Sequence, residues 1–220
     1  MLNKAHHVIN HDEPVRAREF PAHGHQAMQQ ESPLAGLAGA IGKHERRYSE
    51  AFRFRELPFR EIAMLRAAPE TPGLAHAVSE LTGCALPLSA NTVMESEAYS
   101  IWWLGPDEWL IHSKHARAPA LERGLSPLAA TQFVTSVDVS SGYTTFEISG
   151  KHARTVLQKG CPLDLHPSVL QAGQCAQSHY FKAGVVLRPL SSDSYELVVR
   201  RSFADYFYQI MLDAADEFLK

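Results

Sequence analysis

The sequence predicts an α+β fold, with two similar strand-helix-hairpin-helix halves built on antiparallel sheets and preceded by an extended N-terminal arm. Three observations lead there. Strand-like and helix-like segments mix with hairpins instead of alternating strictly as βαβ, which favours antiparallel sheets over a doubly wound nucleotide fold. Gly83-Cys84-Ala85-Leu86-Pro87-Leu88 and Gly160-Cys161-Pro162-Leu163-Asp164-Leu165 agree at four of six positions, each just after a predicted helix, which suggests a duplication. The 220 residues, 45% hydrophobic and 20% charged, suffice for one large domain or two subdomains sharing a core. The expected divisions are an arm over 1–48, a first subdomain over 49–132 and a second over 133–220.

The arm holds six of the twelve histidines (His6, His7, His11, His23, His25 and His44) and little periodicity. His6, His7 and His11 have spacing that suits zinc or nickel, but no regular element holds them in tetrahedral geometry, so they read as a polar tail. Ser32, Pro33, Leu34 and Leu37 form the arm's apolar patch, a candidate partner contact. Arg60 to Ala67 alternates as a strand does, and Leu74, Ala75, Val78 and Leu81 recur at helical spacing, with Pro72 suited to a first turn and Gly83 to a left-handed C-terminus. Tyr99–Leu104 and Glu108–Ile111 flank Gly105-Pro106-Asp107, a turn in which Pro pre-sets the backbone and the Asp carboxylate caps it. A weaker helix follows over 119–130.

The second half repeats this order. Thr135–Ser140 and Thr144–Ile148 read as strands, and a short helix runs from Gly150 to Lys159. Gln177–Pro189 is expected to pair with Ser194–Arg200 across Ser191-Ser192-Asp193. In the last helix, Ser202 is the expected N-cap, and Phe203, Tyr206, Phe207, Ile210, Met211, Ala214 and Phe218 fall on one face.

Twenty-one Lys and Arg against 24 Asp and Glu give a formal charge of −3, which supplies no basic field for nucleic acid. Leu34–Gly42 is too short for a membrane span and Met1–Asn10 has no apolar signal core, so the expected location is the cytoplasm. Cys84, Cys161 and Cys175 form neither an even set nor a C-x-x-C pair and read as reduced, buried thiols.

A search for chemistry returns mostly negatives. The phosphate loops, the nucleophile elbow and the H-E-x-x-H pattern are missing. His112-x-x-His115 straddles a strand end, which points the two rings to opposite faces. Cys161, near Lys159 and His166, is the best single candidate for a reactive group. It lies after a helix C-terminus, where the dipole disfavours a thiolate, so it reads as structural. Among Asp107, Glu108, Asp138 and Asp164, only Asp138 lacks a structural explanation. Of the adjacent Trp102 and Trp103, one is expected in the core and the other under a helix or at an interface; Trp109 is the third tryptophan. No catalytic, cofactor-binding or metal-binding residue is assigned.

Five segments in consistent order carry a resemblance: Trp103-Leu-Gly-Pro-Asp-Glu-Trp-Leu110, Val137-Asp-Val-Ser140, Lys159-Gly-Cys-Pro-Leu-Asp-Leu-His166, Gly173-x-Cys-Ala-Gln177 and Val199-Arg-Arg-Ser-Phe-Ala-Asp-Tyr206. From about Leu57 to the C-terminus the chain resembles the gamma subunits of heterotetrameric sarcosine oxidases. The resemblance implies a small noncatalytic subunit, similar in fold to aminomethyltransferase-type folate-binding domains. Its complex would demethylate sarcosine oxidatively to glycine, yield hydrogen peroxide and pass the one-carbon unit to tetrahydrofolate. FAD, FMN, NAD and tetrahydrofolate would reside on other subunits, alpha being the expected direct neighbour, with beta and delta in the complex. A related folate-binding group carries K-G-C-Y-x-G-Q-E. This chain departs from it after Lys159-Gly160-Cys161, so no folate site is carried over. The alternative is a standalone folate-binding protein or folate-dependent one-carbon transferase.

Overall fold

In a computed structural model that describes residues 31–45 and 47–219, the run Arg60–Ala67 is a strand, β2, over the span its alternation predicts. Ala63 and Leu65 enter one core and Ile62 another, so both faces of this strand are covered. That is why β2 reads as nearly continuously apolar. It belongs to a five-stranded antiparallel sheet ordered β3 (Val93–Glu95), β4 (Tyr99–Gly105), β5 (Glu108–Ala116), β2, β6 (Val134–Asp138). The second sheet, also antiparallel, is ordered β8 (Ala176–Tyr180), β9 (Ala183–Ser191), β10 (Ser194–Arg200), β7 (Tyr143–Ser149), β1 (Arg53–Leu57).

The two orders are equivalent. Helices α2 (Leu74–Thr82) and α3 (Leu121–Ala129) serve the first sheet, and α4 (Ala153–Gln158) and α5 (Ala204–Ala215) the second. Along the chain this gives β1-β2-α2-β3-β4-β5-α3 followed by β6-β7-α4-β8-β9-β10-α5, the same sequence of elements twice. Sheet membership crosses the line between residues 132 and 133: β1 leaves its half to pair with β7, and β6 leaves its half to pair with β2. Each half completes the other's sheet.

Three cores result. One lies under α2 and α3 around Leu65, Trp109 and Ile111. The second lies under α4 and α5 around Phe54, Phe146, Leu197 and Phe207. The third lies between the sheets and contains Ile62, Trp102, Leu110 and Val198. Trp102 therefore fills the middle layer while its neighbour Trp103 packs on the helix side, as alternation along β4 requires. Cys84, Cys161 and Cys175 are all buried and unpaired.

Several local expectations are corrected. Helix α2 buries Leu74, Val78 and Thr82 and ends at Gly83 (φ 70°), but its N-cap is the left-handed Gly73, so Pro72 lies outside the first turn. Leu81 stays partly exposed and leans on Gly124 of α3, where a Cβ would collide with it. The stretch 177–189 is two strands and not one. The chain reverses at Phe181-Lys182, Phe181 taking φ 48° without any Gly, Pro or Asn to announce a turn. Ser202 lies inside a 3-10 turn, Arg201–Phe203, and no side chain caps α5. The buried face of α5 includes Ala204, Phe207, Tyr208, Met211 and Leu212, rotated from the predicted face, and Phe203 stays outside. At the β4–β5 hairpin it is the Asp107 carbonyl that accepts a hydrogen bond, from the Ala67 amide at 3.1 Å; its exposed carboxylate has no partner among the described residues.

Part of the predicted arm is helical. A 3-10 turn (Ala35–Leu37) runs into α1 (Ala38–Glu45), and Leu34, Leu37, Ile41 and Tyr48 pack on the α4–α5 core. His6, His7, His11, His23 and His25 lie outside the described residues.

Candidate functional site

The charged residues that the strands carry inward meet between the two sheets. Alternation on β10 sends Tyr195 and Leu197 to the helix side and Glu196 and Val198 to the middle layer. Glu196, 2% exposed, accepts from Arg60 Nη1 of the opposite sheet at 2.6 Å and from Arg188 Nε of β9 at 2.7 Å. Arg188 also donates to Glu95 of β3, which Lys114 of β5 approaches at 2.5 Å, and its guanidinium stacks over Trp102, 5.2 Å from the ring centre. Burial works to raise the Glu196 carboxyl. The cations facing it, His112 when charged, Arg188 and Arg60, more than reverse that and hold it below its ordinary value. Burial likewise works to raise Glu95, and Lys114 and Arg188 prevail to hold it down.

His112 is fully buried beside this chain of charges. Its Nε2 lies 2.8 Å from Thr145 Oγ1 and its Nδ1 3.9 Å from Glu196 Oε1, too far for a hydrogen bond. Burial lowers it to about 4, against the opposing pull of Glu196, so the ring is neutral at pH 7. His115, three residues on, is exposed, and the two imidazoles do not converge. The cavity beside Arg60 is about 20 Å³, room for about one water and no substrate. As chemistry the network is a clamp: Arg60 with Glu196 and Arg188 with Glu95 pair opposite charges across the layer.

A second buried carboxylate, Glu61, serves as a cap delivered from another element. It accepts from the amides of Ala120 and Leu121 at the start of α3, the latter at 2.6 Å, and from the Tyr99 hydroxyl at 2.7 Å. Arg117, stacked on Tyr99, lies 3.7 Å away.

The segment Lys159-Gly160-Cys161 is committed to packing. Lys159 Nζ donates to the Ala214 carbonyl and to Glu217, both at 2.5 Å, which ties the end of α4 to the end of α5. The Phe181 ring occupies the place where a Cβ on residue 160 would go, and its amide donates to the Gly160 carbonyl at 2.9 Å. Cys161 is buried with its Sγ 3.7 Å from Ser178 Oγ, while His166 is exposed and bonded to Ser168. Lys159, Cys161 and His166 are not brought together. Cys175 is pushed up to about 12, chiefly by burial.

Of the remaining carboxylates, Glu108 pairs with Arg66, Asp164 accepts from the His166 amide at 2.9 Å, and Asp138 accepts from the amide and hydroxyl of Ser140. Asp138 thus gains the structural explanation that its sequence context lacks. In the predicted contact patch, Ser32 donates to Glu56 and Leu34 is 1% exposed, built into the chain's own core. Pro33 and Leu37 remain half-buried at the rims of two surface concavities. The signal that betrays the buried network is a charge inside an otherwise apolar strand: Glu61 in R-E-I-A-M-L, Arg188 in V-V-L-R-P-L and Glu196 in Y-E-L-V-V. Among the described residues no group of three or more His, Cys, Asp and Glu is placed to hold a metal.

Comparison with known proteins is consistent across sequence and structure. A family model described as the sarcosine oxidase, gamma subunit family matches residues 66–217. The gamma subunits of sarcosine oxidase from Corynebacterium sp. strains U-96 and P-1 are each 30% identical over 188 residues, covering 85% of this chain and 90% of theirs. Among solved structures, the heterotetrameric sarcosine oxidase from Corynebacterium sp. U-96 in complex with pyrrole 2-carboxylate superposes with a TM-score of 0.76 at 29% identity. That match covers 86% of this chain and 96% of the other. The glycine cleavage system aminomethyltransferase T from Bartonella henselae superposes with a TM-score of 0.60 at 12% identity, over 86% of this chain and 58% of that one. This likeness is of fold alone.

Proposed function

The chain belongs to the sarcosine oxidase gamma subunit family, and from that premise we propose that it is the small, noncatalytic subunit of a multi-subunit sarcosine oxidase. The complex demethylates sarcosine oxidatively to glycine and passes the one-carbon unit to tetrahydrofolate. The alpha subunit is the direct neighbour, with beta and delta in the same assembly, and FAD, FMN, NAD and tetrahydrofolate reside on those other chains. The location is the cytoplasm; among the described residues no helix is long and apolar enough to cross a membrane.

The observation that supports the noncatalytic part of this reading is the commitment of the buried ionisable groups. Glu61, Glu196, Arg188 and Arg60 are each bonded within the fold, and the K-G-C segment is closed by Phe181. A site for chemistry keeps its reacting groups within reach of a substrate. Here they are turned into fasteners. The candidate contact patch divides accordingly: Ser32 and Leu34 fix the segment to its own chain, and Pro33 and Leu37 present it outward to a partner.

Purification of the tagged full chain, with its complex and alone, tests the reading. The expected result is yellow flavin absorbance and sarcosine turnover in the co-purified complex, with no tetrahydrofolate binding by the isolated chain. Folate-dependent one-carbon transfer by the isolated chain would move the assignment to a standalone transferase.

A further inference from the structure

We infer that α1 is a strap over α5, fastened at both ends and loose between them, which lifts locally while the rest of the fold stays closed. Lifting uncovers the side chains of Tyr208 and Leu212, which are 2% and 7% exposed with the strap in place.

The ends are held by specific bonds. Ahead of the helix, Ser32 donates to Glu56, and Leu34 is built into the α4–α5 core. Behind it, Arg47 Nη2 donates to Asp216 Oδ1 at 2.9 Å and to the Leu219 carbonyl at 3.0 Å.

Between these points little holds the segment down. Helices α2, α3, α4 and α5 each bury two residues or more, whereas none of the described residues of α1 is buried. Leu37 and Ile41 reach the core only in part. With eight residues, α1 is too short to stand alone, because nucleating a helix costs more than so few hydrogen bonds return. Gly39 and Gly42 weaken it further. A Cβ at either would meet nothing within 4 Å, so neither glycine makes room for a neighbour, and each lowers helix stability relative to alanine.

The seam beneath is poorly matched. Five buried side-chain polar atoms among the described residues lack a hydrogen bond, and three of them lie here: His44 Nδ1, Tyr48 Oη and Tyr208 Oη. The two tyrosine hydroxyls are near each other but miss hydrogen-bond geometry. A cleft of about 360 Å³ lies at the same seam, with Leu37, His44 and Arg47 on one side and Tyr208, Leu212 and Leu219 on the other. Closing the strap thus leaves polar groups unserved, and opening it returns them to water, which lowers the free energy of opening. A weak helix on a mismatched seam, held at two ends, opens in its middle before the fold does.

The test is amide exchange on the full chain, with hydroxyl-radical footprinting of Tyr208 alongside. The amides of Gly42–Glu45 are expected to exchange at least about a hundredfold faster than those of Phe207–Met211 on α5, and to ignore low concentrations of urea that speed the latter. Gly39→Ala and Gly42→Ala should each slow α1 exchange about fivefold and lower Tyr208 oxidation in step, with α5 exchange unchanged. Arg47→Ala frees one end and should speed both readouts about threefold. Exchange of α1 and α5 at one rate with the same urea dependence would overturn the inference, since α1 would then open only with the whole fold. Exchange of α1 at the rate of an unfolded peptide would overturn it as well, because there would be no closed strap. Fast α1 exchange with Tyr208 unlabelled would mean that the helix frays in place without lifting, which also overturns it.

Discussion

Arg60 Nη1 on β2 and Glu196 Oε1 on β10 meet at 2.6 Å across the interface of the two sheets, so one ion pair fastens together the halves of an internal repeat. Both side chains have left most of their water behind, at 13% and 3% side-chain exposure. A buried pair adds little over a well-packed apolar substitute, but removing one partner strands the other.

Glu196→Gln leaves the Arg60 and Arg188 guanidiniums without their shared carboxylate. The expected loss is about 3–5 kcal/mol, read as a fall in the urea midpoint at constant slope. A double replacement of Arg60 and Glu196 by apolar residues should lose less than the single change. If Glu196→Gln melted like wild type, the clamp would carry no weight in the fold.

Acid should weaken the fold through His112. Its folded value is about 4 against an ordinary 6.5, so between those values the unfolded chain binds a proton that the folded chain does not. Stability therefore rises with pH through that window, is fully present above about 6.5, and is lost as pH falls toward 4. The fall from 6.5 to about 4 corresponds to about 3 kcal/mol. Glu196, held below its ordinary value, adds a further loss below pH 4.5. His112→Gln should flatten the slope between pH 4 and 6.5 and also lessen the lower one, because the charged ring is one of the cations that hold Glu196 down. A wild-type stability curve that is flat across pH 4 to 6.5 would contradict the burial of a neutral ring.

Gly160→Ala drives a methyl group into the Phe181 ring, and the expected loss is about 1–3 kcal/mol. Phe181→Ala in the same chain should relieve most of the added strain, so the double-mutant cycle should show clear coupling. Additive losses would mean that Gly160 is needed for some reason other than the ring above it.

How far the sequence carries depends on whether the determinant is local. β2, the β4–β5 hairpin, α2 with its Gly83 terminus, and the repeat of elements are all legible, because periodicity and turn chemistry act within about ten residues. The exchange of β1 and β6 between sheets is not, since either strand fits a half-buried sheet edge and only distant pairing decides which. The turn at Phe181 is hidden for a different reason. Its left-handed backbone is held by the Phe181 amide hydrogen bond to Gly160 and by ring packing, 21 residues back in the chain, and not by a turn residue. In the candidate site, the K-G-C segment stands out in sequence but proves to be a joint, whereas Glu196 and Arg188 escape notice because each partner comes from a different strand.

Asp107 shows the same limit at one residue. Its turn is where the sequence places it, but the carboxylate is exposed and bonds nothing among the described residues, and only its carbonyl is used. Asp107→Ala should change stability by no more than about 0.5 kcal/mol, as surface substitutions do. A loss above about 1 kcal/mol would restore the capping role that sequence alone suggests.

Glu61 offers the sharpest contrast, because its carboxylate caps a helix 60 residues away. Four N-terminal amides of any helix lack partners within it, and α3 has no side-chain cap from its own Ala120. Glu61 reaches in from β2 to accept from Ala120 and Leu121, and its charge is favourable at the positive end of the helix dipole. It also holds the Tyr99 hydroxyl, whose pKa is raised by burial and then by this bond. Glu61→Ala should lose about 3 kcal/mol, since a buried amide, a partly buried amide and a buried hydroxyl are left unmatched together. Glu61→Gln keeps an acceptor and should lose less, and amide exchange at Ala120 and Leu121 should quicken in the order wild type, Gln, Ala. Equal losses in the two variants would assign the effect to charge alone, and an unchanged exchange rate would mean that α3 is held by its packing on β6 and α2 without the cap.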